Sequence, residues 1–204
     1  MSDTVISLKN ETLTYSGDQF HTTPSGAKEM LEKYGIAIIP DRLNSEECQQ
    51  MNEGMWQTAE YLTSKLSQPL KRSEPTTYET VFQLESEMGG LIWNWGWGHA
   101  QYVWDVRSNP KVSEVFEEVF DTKDLLVSFD AINCNLGALT PSQKYTYKGK
   151  HNLHCDQRFT KNDFECVQTW LSANPVGVGD GTLRILLGIN FKYHREYSMG
   201  KRKL

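Results

Sequence analysis

Asn152-Leu153-His154-Cys155-Asp156-Gln157-Arg158-Phe159 is the stretch on which the reading of this chain turns. Side chains alternate along a strand, so an extended backbone over Leu153 to Phe159 sets His154 and Asp156 on one face. One imidazole and one carboxylate on a shared face supply two of the three protein ligands of a 2-His-1-carboxylate iron(II) site. Such a site keeps positions open for an organic co-substrate and oxygen. Cys155 falls on the opposite face and reads as a small core residue rather than a ligand.

A His-x-Asp triplet arises by chance in many chains, so its surroundings carry weight. Leu153 and Phe159 bracket it with apolar side chains. A second strand is predicted over Glu165 to Ala173, along which Cys166, Gln168 and Trp170 alternate on one face. The glycine-rich turn Gly177-Val178-Gly179-Asp180-Gly181 follows, able to supply positive φ, and then a strand over Leu183 to Leu187. A ligand pair at one end of a β-sandwich, beside a strand carrying Gln168 and Trp170, suits a metal held in a barrel mouth.

Upstream the pattern is helical. Pro24-Ser25-Gly26 opens a helix through Tyr34, with Gly35 as its stop. Ile36 to Pro40 is a short strand-like run closed by proline. Asn44 is an N-cap followed by Glu46 and Glu47 in the first turn of a helix reaching about Lys65. Cys48, Met51, Met55 and Ala59 lie on its apolar face. Asn109-Pro110 starts another helix over Lys111 to Phe120, with Val112, Val115, Phe116 and Val119 on one face. Strand character returns at Leu125 to Phe129 and Ala131 to Leu136. The order, helices first and antiparallel strands after, predicts an α+β fold with helices bracing one face of a sheet sandwich. Trp93, Trp95 and Trp97 alternate and are predicted to share a strand face, either as a packed aromatic wall or as the rim of a substrate pocket.

At 204 residues the chain fits one domain, spanning 23–204, behind an N-terminal arm over 1–22 with a short strand at Thr12 to Tyr15. Six Trp, nine Tyr and eight Phe make a core feasible although the hydrophobic fraction is 38%. A net charge of −5 argues against a nucleic-acid partner. The basic end Lys201-Arg202-Lys203 reads as solvated. No apolar run is long enough to span a membrane and no signal peptide is evident, so a cytoplasmic location is expected. Cys48, Cys134, Cys155 and Cys166 have no paired spacing, which disfavours a structural zinc site and fits reduced thiols.

The motifs together resemble the phytanoyl-CoA dioxygenase family of iron(II)- and 2-oxoglutarate-dependent oxygenases. His154-Cys155-Asp156-Gln157, Phe164-Glu165-Cys166-Val167-Gln168-Thr169-Trp170 and Gly179-Asp180-Gly181-Thr182-Leu183-Arg184-Ile185-Leu186 carry the likeness. Lys33-Tyr34-Gly35-Ile36-Ala37-Ile38-Ile39-Pro40 with Leu43-Asn44-Ser45-Glu46-Glu47-Cys48 is similar to the family's opening helix, strand and helix. Trp104-Asp105-Val106-Arg107 ahead of Asn109-Pro110-Lys111-Val112 is similar to a segment of its smaller members. The resemblance covers about Ala27 to Tyr197. It implies a double-stranded β-helix, a jelly roll of the cupin type, with N-terminal helices packed on one sheet. It also implies iron(II) on His154 and Asp156, and 2-oxoglutarate beside Trp170. Gln168, on the same strand face as Trp170, is a second co-substrate candidate. The implied reaction hydroxylates an unactivated C–H bond of a small molecule while 2-oxoglutarate becomes succinate and carbon dioxide.

The sequence departs from the family at Gly188-Ile189-Asn190, where a histidine is usual but not as an iron ligand. The larger departure is the family's third ligand, a later histidine, with an arginine after it that pairs with 2-oxoglutarate. The sequence reaches Leu204 before those positions, so the final strands are expected to be missing and turnover by this polypeptide weak or absent. Unpaired sheet edges would follow. His194 and Arg195 match a surface segment of the family. His99 and His151 are further ligand candidates; His151 would sit on the opposite strand face from His154. A non-catalytic binding module on the same scaffold is the alternative. The tryptophans and the loop Lys144 to Lys150 suit a substrate with an apolar body and an anionic head.

Overall fold

The computed structural model of the chain describes residues 17–84, 91–128, 131–134, 166–176 and 185. Among these, four α-helices carry the architecture: α1 (Ala27–Tyr34), α2 (Ser45–Thr63), α3 (Gln101–Arg107) and α4 (Pro110–Phe120). One antiparallel pair, β1 (Leu91–Ile92) and β2 (Ile132–Asn133), aligns Leu91 with Asn133 and Ile92 with Ile132. Tight 3₁₀ turns cover Gly17–Phe20, Pro24–Gly26, Pro75–Gln83 and Trp97–His99.

Local chemistry sets the helix ends. The Pro24–Gly26 turn runs straight into α1. Gly35 ends α1 at φ 76°, a left-handed conformation that costs glycine nothing, and its N–H bonds to the Leu31 carbonyl at 2.8 Å. Asn44 begins α2 with a reciprocal capping box. The Glu47 N–H donates to Asn44 Oδ1 at 2.8 Å, and the Asn44 N–H donates to Glu47 Oε2 at 2.7 Å. The helix stops at Thr63, two residues before the expected Lys65. The Thr63 hydroxyl, fully buried, donates to the Ala59 carbonyl at 2.8 Å and accepts the Leu70 N–H at 3.0 Å. The helix end and the returning chain are thus joined through one oxygen. Asn109 caps α4, its side chain accepting from the Lys111 N–H, with Pro110 at the first helical position.

Packing then links the elements in series: α2 on α3, α3 on α4 and α4 on α1. The α2–α3 approach is close because Gly54 has no side chain. A Cβ there would lie 2.5 Å from Tyr102 Cβ. The main core lies where α2 meets the β1–β2 pair. Ala59, Leu70, Val81, Leu84, Ile92, Trp97 and Cys134 are buried together, with Met55, Trp56, Leu62 and Phe82 packed around them.

Several expectations are corrected. Trp93, Trp95 and Trp97 do not share a face: Trp93 is 53% exposed, Trp95 55% and Trp97 1%. β1 ends at Ile92, and Trp95 and Gly96 then take consecutive left-handed conformations, both at φ 68°. That turn breaks the period-two alternation on which the shared wall rested. The run Leu125 to Phe129 is no strand over residues 125–128; those residues are exposed and Leu126 is 98% so. Residues 17–22, read as part of the arm, are seated on the helical body. The Ile38 N–H donates to the Phe20 carbonyl at 2.8 Å and the Thr22 N–H to the Ile38 carbonyl at 2.9 Å. Phe20 is buried edge-on to Tyr34, ring centroids 5.7 Å apart. Ile36 to Pro40 makes this single parallel bridge, His21 with Ile38, in place of a strand. The expected strand at Thr12 to Tyr15 lies outside the described residues.

The strands expected over Leu153 to Phe159 and Leu183 to Leu187 also lie outside the described residues, apart from exposed Ile185. Of the strand expected over Glu165 to Ala173, residues 166–173 adopt neither helix nor strand. A strand exists only through its ladder, and no described residue supplies one to this stretch.

Candidate functional site

His154 and Asp156, the two expected iron ligands, lie outside the described residues, as do Cys155, His151, His194 and Arg195. Their donor chemistry, one nitrogen and one carboxylate oxygen, suits ferrous iron. The described residues contain no group of three or more His, Cys, Asp or Glu side chains able to hold a metal ion. His99, a candidate third ligand, is exposed at the end of the 97–99 turn, its ring centroid 6.1 Å from that of Trp104.

The two co-substrate candidates are placed. Gln168 and Trp170 sit exposed within residues 166–176, Trp170 at 41%. This stretch is tied to α2. Asn52 Nδ2 donates to Asn174 Oδ1 at 3.2 Å, across 122 positions of sequence. Next to that contact the stretch is folded on itself. The Ser172 hydroxyl donates to the Asn174 carbonyl at 2.6 Å, and the Asn174 N–H donates back to it at 3.3 Å. Pro175 follows, fixing its own φ and biasing Asn174 toward extended backbone.

The α2 face below is aromatic and charged. Trp56 lies 4.9 Å from the Tyr78 ring, and the Arg72 guanidinium stands 5.8 Å over Trp56. Arg72 also pairs with Glu53, and the Tyr78 hydroxyl donates to the Arg72 carbonyl at 2.7 Å. The Arg72 guanidinium, with Gln57 helping, holds the Glu53 carboxyl below the usual carboxylate range. Deeper in the core, Trp97 Nε1 donates to the Tyr102 hydroxyl at 2.6 Å. Burial pushes the Tyr102 phenol up to about 12, so it stays protonated at any physiological pH. A shallow groove between the 17–20 turn and α1, lined by Gln19, Thr22, Glu29, Met30 and Lys33, touches none of the expected site residues.

Asn52, Asn174 and Tyr102 were not marked by sequence reasoning. Asn174-Pro175 carried a turn signal; Asn52, mid-helix and polar, carried none. No helix among the described residues is long and apolar enough to cross a membrane.

Comparison with known proteins gives one weak relation. The chain is 32% identical over 124 residues to Ava biosynthesis cluster protein O of Aspergillus versicolor. The match takes in 61% of this chain and spans 38% of that relative's length. No protein-family model matches the chain. No solved structure matches it.

Proposed function

We propose that this chain is an iron(II)- and 2-oxoglutarate-dependent dioxygenase-like protein built on a double-stranded β-helix, of the kind that hydroxylates an unactivated C–H bond of a small organic molecule, with weak or no turnover by this polypeptide. One observation carries the reading. His154-x-Asp156, Gln168-x-Trp170 and Asp180-Gly181-Thr182-Leu183 occur in the order and context of the phytanoyl-CoA dioxygenase family. The likeness to a protein named for a biosynthesis cluster agrees with a role in tailoring a small molecule.

In this reading His154 and Asp156 hold the metal, and Trp170 with Gln168 flanks 2-oxoglutarate. Iron with its co-substrate supplies oxygen activation, coupled to decarboxylation of 2-oxoglutarate. The task of the chain is to orient substrate and keep water from the reacting centre. An indole beside the co-substrate presents a flat apolar wall without competing for the metal.

Anaerobic addition of iron(II) and then 2-oxoglutarate to the chain tests this. A visible charge-transfer band that disappears in His154→Ala and Asp156→Ala supports the oxygenase. 2-Oxoglutarate or substrate binding with no such band, and no iron retained above the two variants, leaves the non-catalytic binding module instead.

A further inference from the structure

We propose that the run Leu125 to Val127 is a docking edge for a second copy of this chain, the two runs pairing antiparallel about a two-fold axis at Leu126. The inference stands apart from the oxygenase reading. Beyond α4 the local bonds end with the Asp124 N–H, which donates to Thr122 Oγ1 at 3.1 Å. Among the described residues none bonds the backbone of residues 125–128. The side chains of Leu125, Leu126 and Val127 are apolar, and their exposures alternate at 36%, 98% and 50%. That alternation is the period of an extended chain. What the run lacks is a ladder. An extended apolar run with unbonded N–H and C=O groups is a template for another strand.

The sequence of the run selects its occupant, because the run matches itself. With Leu126 facing its own copy, Leu125 of each chain lies opposite Val127 of the other, and Asp124 lies opposite Ser128. Apolar side chains then meet across the whole run, and the Ser128 hydroxyl can donate to the Asp124 carboxylate at both ends. The two Asp124 groups stand at opposite ends of the pairing, as do the two Lys123 groups, so no like charges face each other. A slip of one residue sets either Asp124 against Val127 or Leu125 against Ser128, which fixes the register. Residues 122–128 carry one lysine and one aspartate, so the edge is locally neutral although the chain has a net charge of −5. A pairing this short covers less than the ~1,200 Å² of a stable interface, so association is weak and rises with concentration.

Sedimentation velocity of the full chain, followed from about 1 μM to 1 mM, tests this. The parent should pass from monomer toward dimer within that range. Leu126→Lys sets two like charges face to face and removes an apolar pair, and should weaken dimerisation about ten-fold or more. Leu126→Glu should do the same. Mixing the Lys and Glu variants should restore a dimer, because a two-fold pairing at Leu126 sets one against the other. Tyr61→Lys adds the same charge at an exposed aromatic residue of α2 and should associate as the parent does. Both positions are exposed, so neither change disturbs the core. A parent chain that is monomeric throughout, as it would be if its own residues covered the run, overturns the proposal. So does a Leu126→Lys chain that associates like the parent, a Tyr61→Lys chain weakened as much, or a Lys and Glu mixture that stays monomeric.

Discussion

The helical body over residues 17–84 and 91–120 and the stretch over residues 166–176 are held in different ways. In the body, the helix ends are set by contacts short in sequence. Asn44 and Glu47 cap each other three residues apart, Gly35 closes α1 on Leu31, and Asn109 accepts from Lys111. In the second stretch a contact that ties it to α2 joins residues 122 apart, Asn52 to Asn174. The helix ends of the body are thus set by signals any neighbour-by-neighbour reading can find. The stretch bearing the co-substrate candidates depends on a partner that only the folded chain brings near.

The sharpest way to break that contrast is to remove the one side chain that gathers the body's core. Trp97 is buried beside Leu70, Leu84 and Ile92 and bonds Tyr102. Trp97→Ala should cost about 3–5 kcal/mol in chemical denaturation, through lost burial and the cavity left behind. Trp93→Ala and Trp95→Ala, at exposed positions of the same motif, should fall within about 0.5 kcal/mol of the parent. Equal losses for all three would restore the shared aromatic wall that the alternating spacing suggested.

The tryptophans also mark where the sequence stops being legible. Helix ends at Gly35, Asn44 and Asn109 were readable because capping chemistry is local. The span of α4 and its half-buried apolar face followed from period 3.6. The Trp93–Trp97 alternation misled because a left-handed pair at Trp95 and Gly96 overrides periodicity, and nothing about tryptophan announces positive φ. α3 escaped notice because it has no side-chain cap and only seven residues. As for the candidate site, residue types and order were legible at His154, Asp156, Gln168 and Trp170. Its anchoring at Asn52 was not, since a polar residue inside a helix usually faces water.

A second test uses the buried hydroxyl that joins α2 to the chain returning at Leu70. Thr63→Val keeps the shape but removes the acceptor of the Leu70 N–H, leaving a buried donor unsatisfied. The expected loss is about 1–3 kcal/mol. Thr63→Ser, which retains the oxygen, should recover the hydrogen-bond part of that loss. Gly54→Ala probes the other side of the same helix. Alanine favours helix, yet its Cβ would meet Tyr102, so crowding wins and the variant should be less stable by about 1 kcal/mol or more.

Acid provides a third. Glu47 serves two helices at once: it caps α2 through the Asn44 N–H, pairs with Lys111 at 2.8 Å and accepts from Asn109 Nδ2 at 2.9 Å. Lys111 first, then the Asn44 N–H and Asn109, hold its carboxyl down to about 2 from the ordinary 4.5. A depressed carboxyl contributes stability that is complete above its unfolded value. That contribution drains away as pH falls from 4.5 toward 2. Denaturation midpoints followed over this window should drop less steeply in Glu47→Gln than in the parent. Identical slopes would show that the shared carboxylate does not couple the two helix starts.

The smallest effect separates two helix ends built to one geometry with different residues. α1 closes at Gly35, φ 76°, and α4 closes at Asp121, φ 53°, whose N–H bonds to the Glu117 carbonyl. Glycine is at ease there, whereas a side chain in the left-handed region costs about 1 kcal/mol, somewhat less for aspartate because its short polar group can bond locally. Gly35→Ala should therefore destabilise by about 1 kcal/mol. Asp121→Gly should stabilise by less than about 1 kcal/mol, since glycine also gives the unfolded chain more freedom to lose. Asp121 carries a further handicap: a negative charge at a helix C-terminus faces the negative end of the helix dipole. Asp121→Asn removes that charge while keeping a residue tolerant of the conformation. If Asn gains as much as Gly, the cost at this end is electrostatic. If only Gly gains, it is steric, and α4 then ends in strain that α1 avoids.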